Sequence, residues 1–437
     1  MNPTYWLYRL LASGVFLAGF PPFLVYTRLS GRHQQGLKER VGIIPRAVSR
    51  DTEGTPRIWI HAVSLGEVKA AIPVTKALRE ILPDCSILLS TTTEHGRSLA
   101  AKSLRDIPVF YAPIDVSFSV RKALSRARPD VMVFMETELW PLWIWEANSR
   151  GIKTALINGR ISPRAIGTYL KFRALFRDVL GKIDAFSMIS DQDANRIVSL
   201  GADPKNVIVN GNSKYELVID MAHPEIEQEM RTLLNLRGSQ KVFIAGSIRK
   251  GEAKFILEVY EALSKKFPNM VLAIAPRHIK RTRLIEDALK SRGIRYQLRT
   301  DLEKPGTKRT EPVVIINNFG ELFKLYSVGD IIFCGGSLIP VGGQNPLEAA
   351  VWGKVVFYGP SMEDFLDAKA MLEAVKAGIM VSKPEEFCEK ASWLLDHPEI
   401  NARRGTLARE AIARNQGAAR RHAGIVADLL RDHGLEV

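Results

Sequence analysis

The sequence Gly342-Gly343-Gln344-Asn345-Pro346-Leu347-Glu348-Ala349-Ala350 follows the apolar run Ile331-Ile332-Phe333-Cys334-Gly335-Gly336-Ser337. An apolar run, a glycine-rich loop and a segment with Pro346 in its first turn predict a buried parallel strand, a loop and a helix. Such a junction offers free backbone N–H groups and a positive helix end, which suit a phosphate, while Glu348 can accept hydrogen bonds from a ribose. The junction therefore indicates a nucleotide site; the alternative is an ordinary glycine turn of an α/β protein.

The same alternation of strand and helix runs through most of the chain. The first series of apolar runs is IWIHAV, SILLST, VFYAP, VMVFME, TALING, AFSMIS and VIVNG, and the second is VFIAGS, MVLAIAP, RYQLR, VVIINN, IIFCGGS and VVFYG. Continuous apolar strands separated by helices predict parallel sheets covered on both faces. We expect an α/β protein with two Rossmann-like, doubly wound parallel-sheet domains that face each other across a cleft, where ligands of such sheets bind.

The length of 437 residues suits two domains. We place an N-terminal apolar segment at 1–40, the first Rossmann-like domain at 41–215, a linker with one short helix at 216–240 and the second domain at 241–410. Residues 411–437 are expected to hold a helix that could pack back on the first domain.

Charge and cysteine content limit the classes of partner. The formal charge of +14 implies an anionic partner, which could be a nucleic acid, a phosphorylated substrate or an acidic membrane surface. The three cysteines are far apart, which excludes a disulfide framework or a CxxC metal site and suits a reducing compartment. The pair Asp191 and Asp193 is similar to the metal-binding aspartates of some glycosyltransferases, but helix capping is the simpler interpretation, so no metal is expected.

The N-terminal segment indicates a membrane. Residues 5–26 are apolar and aromatic apart from Arg9, and a basic stretch with Arg28, Arg32, His33, Lys38 and Arg40 follows. A removable signal peptide is not expected, because a basic n-region and a cleavage site are missing. We expect a helix that lies in or dips into the bilayer, with the basic residues on anionic cytoplasmic headgroups; an ordinary buried helix is the alternative.

Polar residues cluster after the predicted strands of the first domain. Glu67 is expected in the first turn of a helix, where its carboxylate could act as a general base or simply cap the helix. Glu136 follows the run VMVFM, and Lys214 follows a third strand end, where it could face an acidic substrate or lie solvated in a loop. Carboxylates from two strands that converge on one cleft favour chemistry there.

The second domain has its own polar strand ends. Arg277 offers bidentate pairing to a phosphate, and the small residues Gly246 and Ser247 permit the close approach of a ligand. Together with the Gly342 loop they predict a pocket for a nucleotide-linked donor. The implied reaction is transfer of a group from a nucleotide to an acceptor that the first domain holds.

Five motifs in order, HAVSLGE (61–67), METELWP (135–141), GNSKY (211–215), PRH (276–278) and GGQNPLE (342–348), closely resemble those of the lipopolysaccharide Kdo transferases. The resemblance covers nearly the whole chain. It implies a GT-B fold and transfer of 3-deoxy-D-manno-oct-2-ulosonic acid (Kdo) from CMP-Kdo to a lipid A precursor. It further implies that the enzyme needs neither metal nor cofactor and works at the cytoplasmic face of the inner membrane. The first domain would then bind the acceptor and the second would bind CMP-Kdo.

The resemblance also assigns residues. Glu67 matches the catalytic base, and Glu136 and Lys214 match residues that stabilise the transition state. The residues that match the CMP-binding segments are Pro276, Arg277, Phe319, Gly320, Glu321, Asn345, Pro346, Leu347 and Glu348.

The sequence departs from the family pattern at Leu142, Gly159, Ile248, Arg249 and Gln344, which affects fine contacts more than the reaction. A different GT-B enzyme with another nucleotide sugar would not need HAVSLGE or METELWP. A nucleic-acid-binding protein is not expected, since the chain shows no RGG cluster or recognition-helix pattern. No motif specifies an oligomeric state.

Overall fold

The computed structural model describes residues 3–30, 36–45, 54–238, 240–249 and 251–431. The chain forms two compact units, one of Met1–Leu217 with Asn415–Val437 and one of Val218–Arg414. We call them unit 1 and unit 2. Most of the segment that we assigned to a linker therefore belongs to unit 2, where it includes the helix Glu225–Leu233.

Unit 1 is built on a parallel sheet in which seven strands are described, in the order β3-β2-β1-β4-β5-β6-β7. The strands are β1 (Arg57–His61), β2 (Ser86–Thr91), β3 (Val109–Tyr111), β4 (Val131–Met135), β5 (Lys153–Gly159), β6 (Ala185–Met188) and β7 (Val207–Val209). The strand order reverses between β1 and β4, which makes the carboxyl ends of these two strands the switch point where doubly wound sheets bind ligands.

The helices of unit 1 cover both faces of this sheet. They are α1 (Pro3–Ser30), α2 (Leu37–Arg40), α3 (Leu65–Ile81), α4 (Glu94–Ser103), α5 (Ser117–Ala127), α6 (Pro141–Asn148), α7 (Pro163–Lys171), α8 (Arg173–Leu180), α9 (Asp191–Leu200) and α10 (Lys214–Asp220), which runs on into unit 2. Side chains alternate between the faces along each strand. Ile58 and Ile60 pack with α3 and the C-terminal helix, whereas Trp59 packs on the other face with α5 and α6.

Unit 2 repeats the architecture, with described strands in the order β10-β11-β9-β8-β12-β13-β14, all parallel. The strands are β8 (Val242–Ile248), β9 (Val271–Pro276), β10 (Tyr296–Leu298), β11 (Val313–Ile315), β12 (Ile331–Cys334), β13 (Val356–Tyr358) and β14 (Gly378–Met380). Here the order reverses between β8 and β12, so this unit has a second switch point. The α/β expectation with two doubly wound parallel sheets is confirmed.

The helices of unit 2 are α11 (Glu225–Leu233), α12 (Glu252–Lys266), α13 (Thr282–Lys290), α14 (Leu322–Leu325), α15 (Leu347–Ala350), α16 (Leu366–Ala374), α17 (Pro384–Asp396) and α18 (Pro398–Ala413). The last helix of the chain, α19 (Ala418–Arg431), belongs to unit 1 and packs against α3. Its buried residues Ala423, Val426 and Leu430 complete the core on the Ile58 face of the first sheet.

Helix α1 is long and apolar, and its sequence runs through Pro21 and Pro22 without a break in the helix. The stretch Pro3–Leu29 has a mean hydropathy of 1.6 and is long enough to cross a membrane, and only 6% of its most apolar window is buried. Near its start the Tyr8 hydroxyl donates to Asp115 Oδ2 over 2.8 Å. The alternative of an ordinary buried helix does not describe α1, because most of its apolar side chains face outward.

The basic residues after α1 do not all face outward. Lys38 is exposed, while Arg32 and His33 lie outside the described residues. The expectation that Arg40 faces lipid headgroups is wrong: its Nη2 donates to the Thr92 carbonyl over 2.7 Å, and its guanidinium lies 4.5 Å from the Tyr111 ring centre. The aromatic ring and the carbonyl hold this cation within unit 1.

Candidate functional site

Glu67 lies in the first turn of α3, immediately beyond β1 at the switch point of unit 1. Its Oε2 accepts the Val63 N–H over 2.7 Å, and its Oε1 accepts the Ser64 hydroxyl over 2.8 Å. Ser64 is the N-cap residue, and its hydroxyl oxygen accepts the Glu67 N–H over 3.4 Å. Glu67 thus has the capping role that we considered as an alternative, and this capping box fixes its carboxylate at the edge of the sheet.

Burial raises the pKa of the Glu67 carboxyl group far above its ordinary value. The side chain is only 8% exposed. Burial is the main reason that the pKa of Glu67 is raised to about 8, the negative charges of Glu138 and Glu136 raise it further, and the hydrogen bonds from Val63 and Ser64 oppose the shift. A carboxyl group with such a pKa can exchange a proton near neutral pH, as a general base must.

Glu136 follows β4 on the other side of the switch point. Its φ of 56° is uncommon for a residue with a side chain, which is typical of functional sites rather than of ordinary strand ends. Its Oε1 forms an ion pair with Lys214 Nζ. Lys214 Nζ lies 3.8 Å from the point that a Cβ on Gly66 would occupy, at the start of α3. The structure therefore brings Glu67, Glu136 and Lys214 to one place in unit 1.

Glu138 adds a third carboxylate to this group, which we call the acidic cluster (Glu67, Glu136 and Glu138). Burial raises the pKa of Glu138, the indole N–H of Trp140 lowers it by donating to Glu138 Oε2, and the charge of Glu136 raises it. Glu138 lies within the METELWP motif, and we assigned it no role from the sequence. Its part in raising the pKa of Glu67 depends on distances that the sequence does not contain.

The C-terminal helix α19 supports the turn that carries Lys214. His422, which is fully buried, lies with Nδ1 2.6 Å from Ser187 Oγ and with Nε2 2.9 Å from the Gly211 carbonyl oxygen. Arg421 donates to the Asn210 carbonyl from Nε over 3.1 Å and from Nη2 over 2.8 Å. Sequence reasoning missed these residues, because 235 residues separate His422 from Ser187. The only signal was the expectation that this helix could return to the first domain.

In unit 2, Glu252 organises the loop after β12. It begins α12 and is 1% exposed. Its Oε2 accepts the N–H groups of Arg249 over 2.8 Å and of Gly336 over 2.7 Å, and its Oε1 accepts those of Ser337 and Leu338, each over 3.0 Å. Hydrogen bonds to a carboxylate are stronger than neutral ones, so this loop is firmly held. Sequence reasoning missed Glu252, although Glu252 and Glu67 both lie in the first turn of the helix that follows the first strand of their unit.

The first group of residues matched to CMP binding follows β9 and β11. Pro276 ends β9, and Arg277 beyond it is exposed. Phe319 is 81% exposed, and Gly320 has a φ of 90°. Glu321 forms a bidentate ion pair with Arg299, with its oxygens 2.6 and 2.7 Å from Nε and Nη2. The Glu321 carboxylate therefore orders its own loop, while Arg277 and Phe319 are open to a ligand.

The second group follows the glycine loop and differs from expectation. The helix is a single turn, Leu347–Ala350, and Pro346 is its N-cap rather than part of its first turn. Asn345 Oδ1 accepts the Leu347 N–H over 3.1 Å, Pro346 and Leu347 are buried, and Glu348 is half-buried. The positive helix end that we expected for a phosphate is weak here, because one turn sums few peptide dipoles.

Gly246 also has a different role from the predicted one. A Cβ atom there would collide with the Tyr326 hydroxyl, so the missing side chain makes room for a tyrosine and not for a ligand. The neighbouring Ser247 has a positive φ of 55°.

Within the described ranges, no group of three or more histidine, cysteine or acidic side chains is arranged to hold a metal ion. Ser190, not Asp191, caps α9, and Asp193 accepts the Ile161 N–H over 2.8 Å. Asp193 thus has a structural role at the start of this helix, although the residue that caps the helix is the preceding serine.

The fold and the two switch points define the chain as a protein of the GT-B class. Two solved structures illustrate the likeness. UDP-GlcNAc 2-epimerase from Neisseria meningitidis bound to UDP-GlcNAc is 17% identical, with a TM-score of 0.61 over 86% of this chain and 100% of that one. A UDP-N-acetylglucosamine 2-epimerase from Listeria monocytogenes, described as putative in its title, is 14% identical, with a TM-score of 0.62 over 86% and 97%. At such identities the likeness concerns the fold alone.

Sequence comparison identifies the family. Residues 35–217 match the family described as 3-deoxy-D-manno-octulosonic-acid transferase (kdotransferase). The 3-deoxy-D-manno-octulosonic acid transferase of Haemophilus influenzae is 30% identical over 98% of this chain and 99% of its own. A probable mitochondrial 3-deoxy-D-manno-octulosonic acid transferase of Arabidopsis thaliana is 32% identical over 91% and 89%. The chain belongs to the 3-deoxy-D-manno-octulosonic acid transferase family, and its enzyme class is that of the glycosyltransferases.

A further relative is longer than this chain. The bifunctional glycosyltransferase/methyltransferase of Fusobacterium nucleatum is 36% identical over 77% of this chain, and the match spans 52% of that protein. This chain thus spans about half the length of that relative.

Proposed function

We propose that this protein transfers Kdo from CMP-Kdo to a lipid A precursor of the lipid IVA type, with inversion at the anomeric carbon and Glu67 as the general base. The observation that carries the proposal is the position of Glu67 and its raised pKa. Its carboxyl group is buried at the switch point of unit 1, and its pKa is about 8. Family membership supports the Kdo group as the transferred unit.

The chemical step needs one proton acceptor and one leaving group. The acceptor hydroxyl oxygen attacks the anomeric carbon of Kdo, a new carbon–oxygen bond forms, and Glu67 takes the hydroxyl proton. The bond between the anomeric carbon and the phosphate oxygen breaks, and CMP leaves with the electron pair. Charges balance without an oxidant, a reductant or a second substrate.

Lys214 and Glu136 support this step by electrostatics. The ammonium of Lys214 offsets negative charge on the Kdo carboxylate or on the departing phosphate. Its ion pair with Glu136 orients the ammonium before the donor arrives, and the hydrogen bonds of Arg421 and His422 hold the turn that leads to it. Pre-oriented charges of this kind act on the transition state without a reorganisation cost.

Unit 2 supplies the donor site of this proposal. Arg277 and the exposed Phe319 ring follow β9 and β11, and the residues Asn345 to Glu348 follow the glycine loop. Arginine binds phosphate through two parallel N–H bonds, and an aromatic ring offers a stacking surface to a base. We propose that cytidylate binds here and that neither a metal nor a cofactor takes part.

Helix α1 would hold the enzyme at the inner membrane, with the catalytic units on the cytoplasmic face. Its outward-facing apolar side chains include Trp6, Leu10, Val15, Leu17 and Leu29. Burial of such residues in lipid contributes roughly 25 cal/mol per Å² of apolar surface. An enzyme held there would meet a lipid acceptor in the same membrane.

The purified protein can be tested with CMP-Kdo and a lipid IVA-type precursor in detergent, with mass spectrometry of the lipid. We expect a lipid product that carries Kdo, in the presence of excess EDTA. UDP-GlcNAc in place of CMP-Kdo is the control donor and should give no product. Transfer from the UDP-sugar alone would overturn the proposed donor and favour a different GT-B transferase.

A further inference from the structure

A second arginine lies at the switch point of unit 2. Arg249 follows β8 directly, and the register pairs Ile248 with Pro276 of the neighbouring strand β9. Arg249 and Arg277 are therefore the next residues along two adjacent strands, and the Arg277 N–H donates to the Ile248 carbonyl over 2.9 Å. Adjacent parallel strands lie about 4.8 Å apart, so two guanidinium side chains leave the same edge of the sheet.

The Arg249 side chain lies against the glycine turn after β12. Gly336 has a φ of 68°, and a Cβ built there would lie 3.3 Å from Arg249 Nε and 3.6 Å from Gln344 Cγ. Arg249 and Gln344, two positions where the sequence departs from the family pattern, thus meet at one glycine. A side chain at position 336 would displace the guanidinium.

The guanidinium nitrogen Nε of Arg249 is buried and has no hydrogen-bond acceptor among the described residues. The nearby carboxylate of Glu252 does not take this role, because its two oxygens accept four backbone N–H groups, including that of Arg249 itself. A buried cationic donor without an acceptor is costly. An anionic oxygen from a ligand would satisfy it.

We infer that Arg249 is a donor-binding residue that, beside Arg277, contacts an anionic oxygen of the nucleotide-sugar donor. The inference rests on the proposed function and adds a residue that none of the motifs assigns. The oxygen belongs either to the phosphate or to the sugar carboxylate, which share the same chemistry toward a guanidinium. Glu252 fixes the backbone on both sides of this contact, so that Arg249 is held in place before the donor binds.

Calorimetric titration with CMP and with cytidine tests the inference. We expect Arg249→Gln to weaken CMP binding about tenfold and to leave cytidine binding unchanged, because only CMP has a phosphate. Arg249→Lys should recover part of the loss. Arg409→Gln, at an exposed position of α18, is the matched control and should bind both ligands as the wild type does.

Steady-state kinetics with CMP-Kdo separates the two oxygens. If Arg249→Gln binds CMP normally but raises the KM for CMP-Kdo, the contact is to the sugar carboxylate and the inference stands. Unchanged CMP binding together with an unchanged KM would overturn it, as would equal losses for CMP and cytidine in both Arg249 variants. A wild-type protein that binds neither CMP nor CMP-Kdo would instead overturn the proposed function, and this inference with it.

Discussion

The two switch points both lie beside the first strand of their sheet, but the side chains there have opposite chemistry. In unit 1 the loops after β1 and β4 carry buried carboxylates, and one of them is paired with Lys214. In unit 2, Arg249 follows β8 and Arg277 follows β9, the loop after β12 is rich in glycine, and the Glu252 carboxylate is fully used by backbone N–H groups. On the proposed function, switch points of one general kind would support proton transfer in one unit and anion binding in the other, because the function lies in the loops and not in the fold.

One residue at or near the end of an inner strand in each unit illustrates this difference. Glu136 after β4 and Ser247 near the end of β8 both have positive φ, of 56° and 55°. Such a conformation costs of order 1 kcal/mol or more for a residue with a Cβ. In unit 1 the turn places a carboxylate beside Lys214, whereas in unit 2 it leads the chain to Arg249.

The largest expected effect is that of removing the proposed base. Glu67→Gln should lower kcat by about 10³-fold, since a general base contributes roughly 10² to 10⁴ in rate, and should leave CMP affinity unchanged. Steady-state kinetics and calorimetry measure the two quantities. Glu94→Gln, which alters an exposed glutamate in the first turn of α4, is the control and should keep wild-type kcat. If the Glu67→Gln protein had native circular dichroism and normal kcat, Glu67 would not be the general base and unit 1 would have no part in the chemical step.

A smaller loss of kcat is expected when Lys214, the cation that pairs with Glu136 of the acidic cluster, is replaced. Lys214→Gln should lower kcat by about 10²-fold with little change in KM, because a charge that stabilises the transition state contributes a few kcal/mol. Lys76→Gln, at an exposed site on α3, is the control in the same kinetic assay. A rise in KM alone would show that Lys214 binds substrate without assisting the transfer.

Substitution in unit 2 should affect binding more than rate. Arg277→Gln should raise the KM for CMP-Kdo by about tenfold with kcat nearly unchanged, as expected for a residue that holds ground state and transition state equally. The same assay, run at saturating acceptor, measures both constants. If kcat fell and KM did not change, the contrast between a chemical unit and a binding unit would be wrong.

The smallest effect concerns stability. The folded pKa of Glu67 is about 8 against an ordinary value of 4.5, so the folded state holds this proton more tightly than the unfolded state. The free energy of unfolding therefore falls as pH rises from 4.5 to about 8. Glutamine does not titrate, so the Glu67→Gln protein does not lose this part of its free energy of unfolding as pH rises. It should be more stable than wild type by about 1 kcal/mol near pH 8 and by much less near pH 5. Denaturant unfolding at both values measures it, and equal differences at the two pH values would contradict the shift.

Sequence periodicity predicted the apolar strands of both sheets but missed β14 (Gly378–Met380), which is short and only partly buried. Buried parallel strands are continuous apolar runs, so the runs that we listed correspond to strands of the two sheets. The positions of Glu67 and Glu136 follow from strand ends in the same way. Local rules failed where tertiary contacts decide: Arg40 turns inward to Tyr111, and the helix after Pro346 ends after one turn.

Long-range partners could not be predicted. The contact of His422 with Ser187 joins two distant parts of the chain, and the four bonds to Glu252 depend on how two loops meet. The pKa of Glu67 could not be predicted from the sequence either, because it depends on burial and on the charges of Glu138 and Glu136 through space.

The pH dependence of kcat tests the role of Glu67 most directly when wild type is compared with Glu138→Gln. In wild type, kcat should rise with pH through about 8, because Glu67 must lose its proton before it can accept another. Glu138→Gln removes one of the charges that raise this pKa, so the rise should move to lower pH. An identical midpoint in the two proteins, or a kcat that does not depend on pH in this range, would contradict the account.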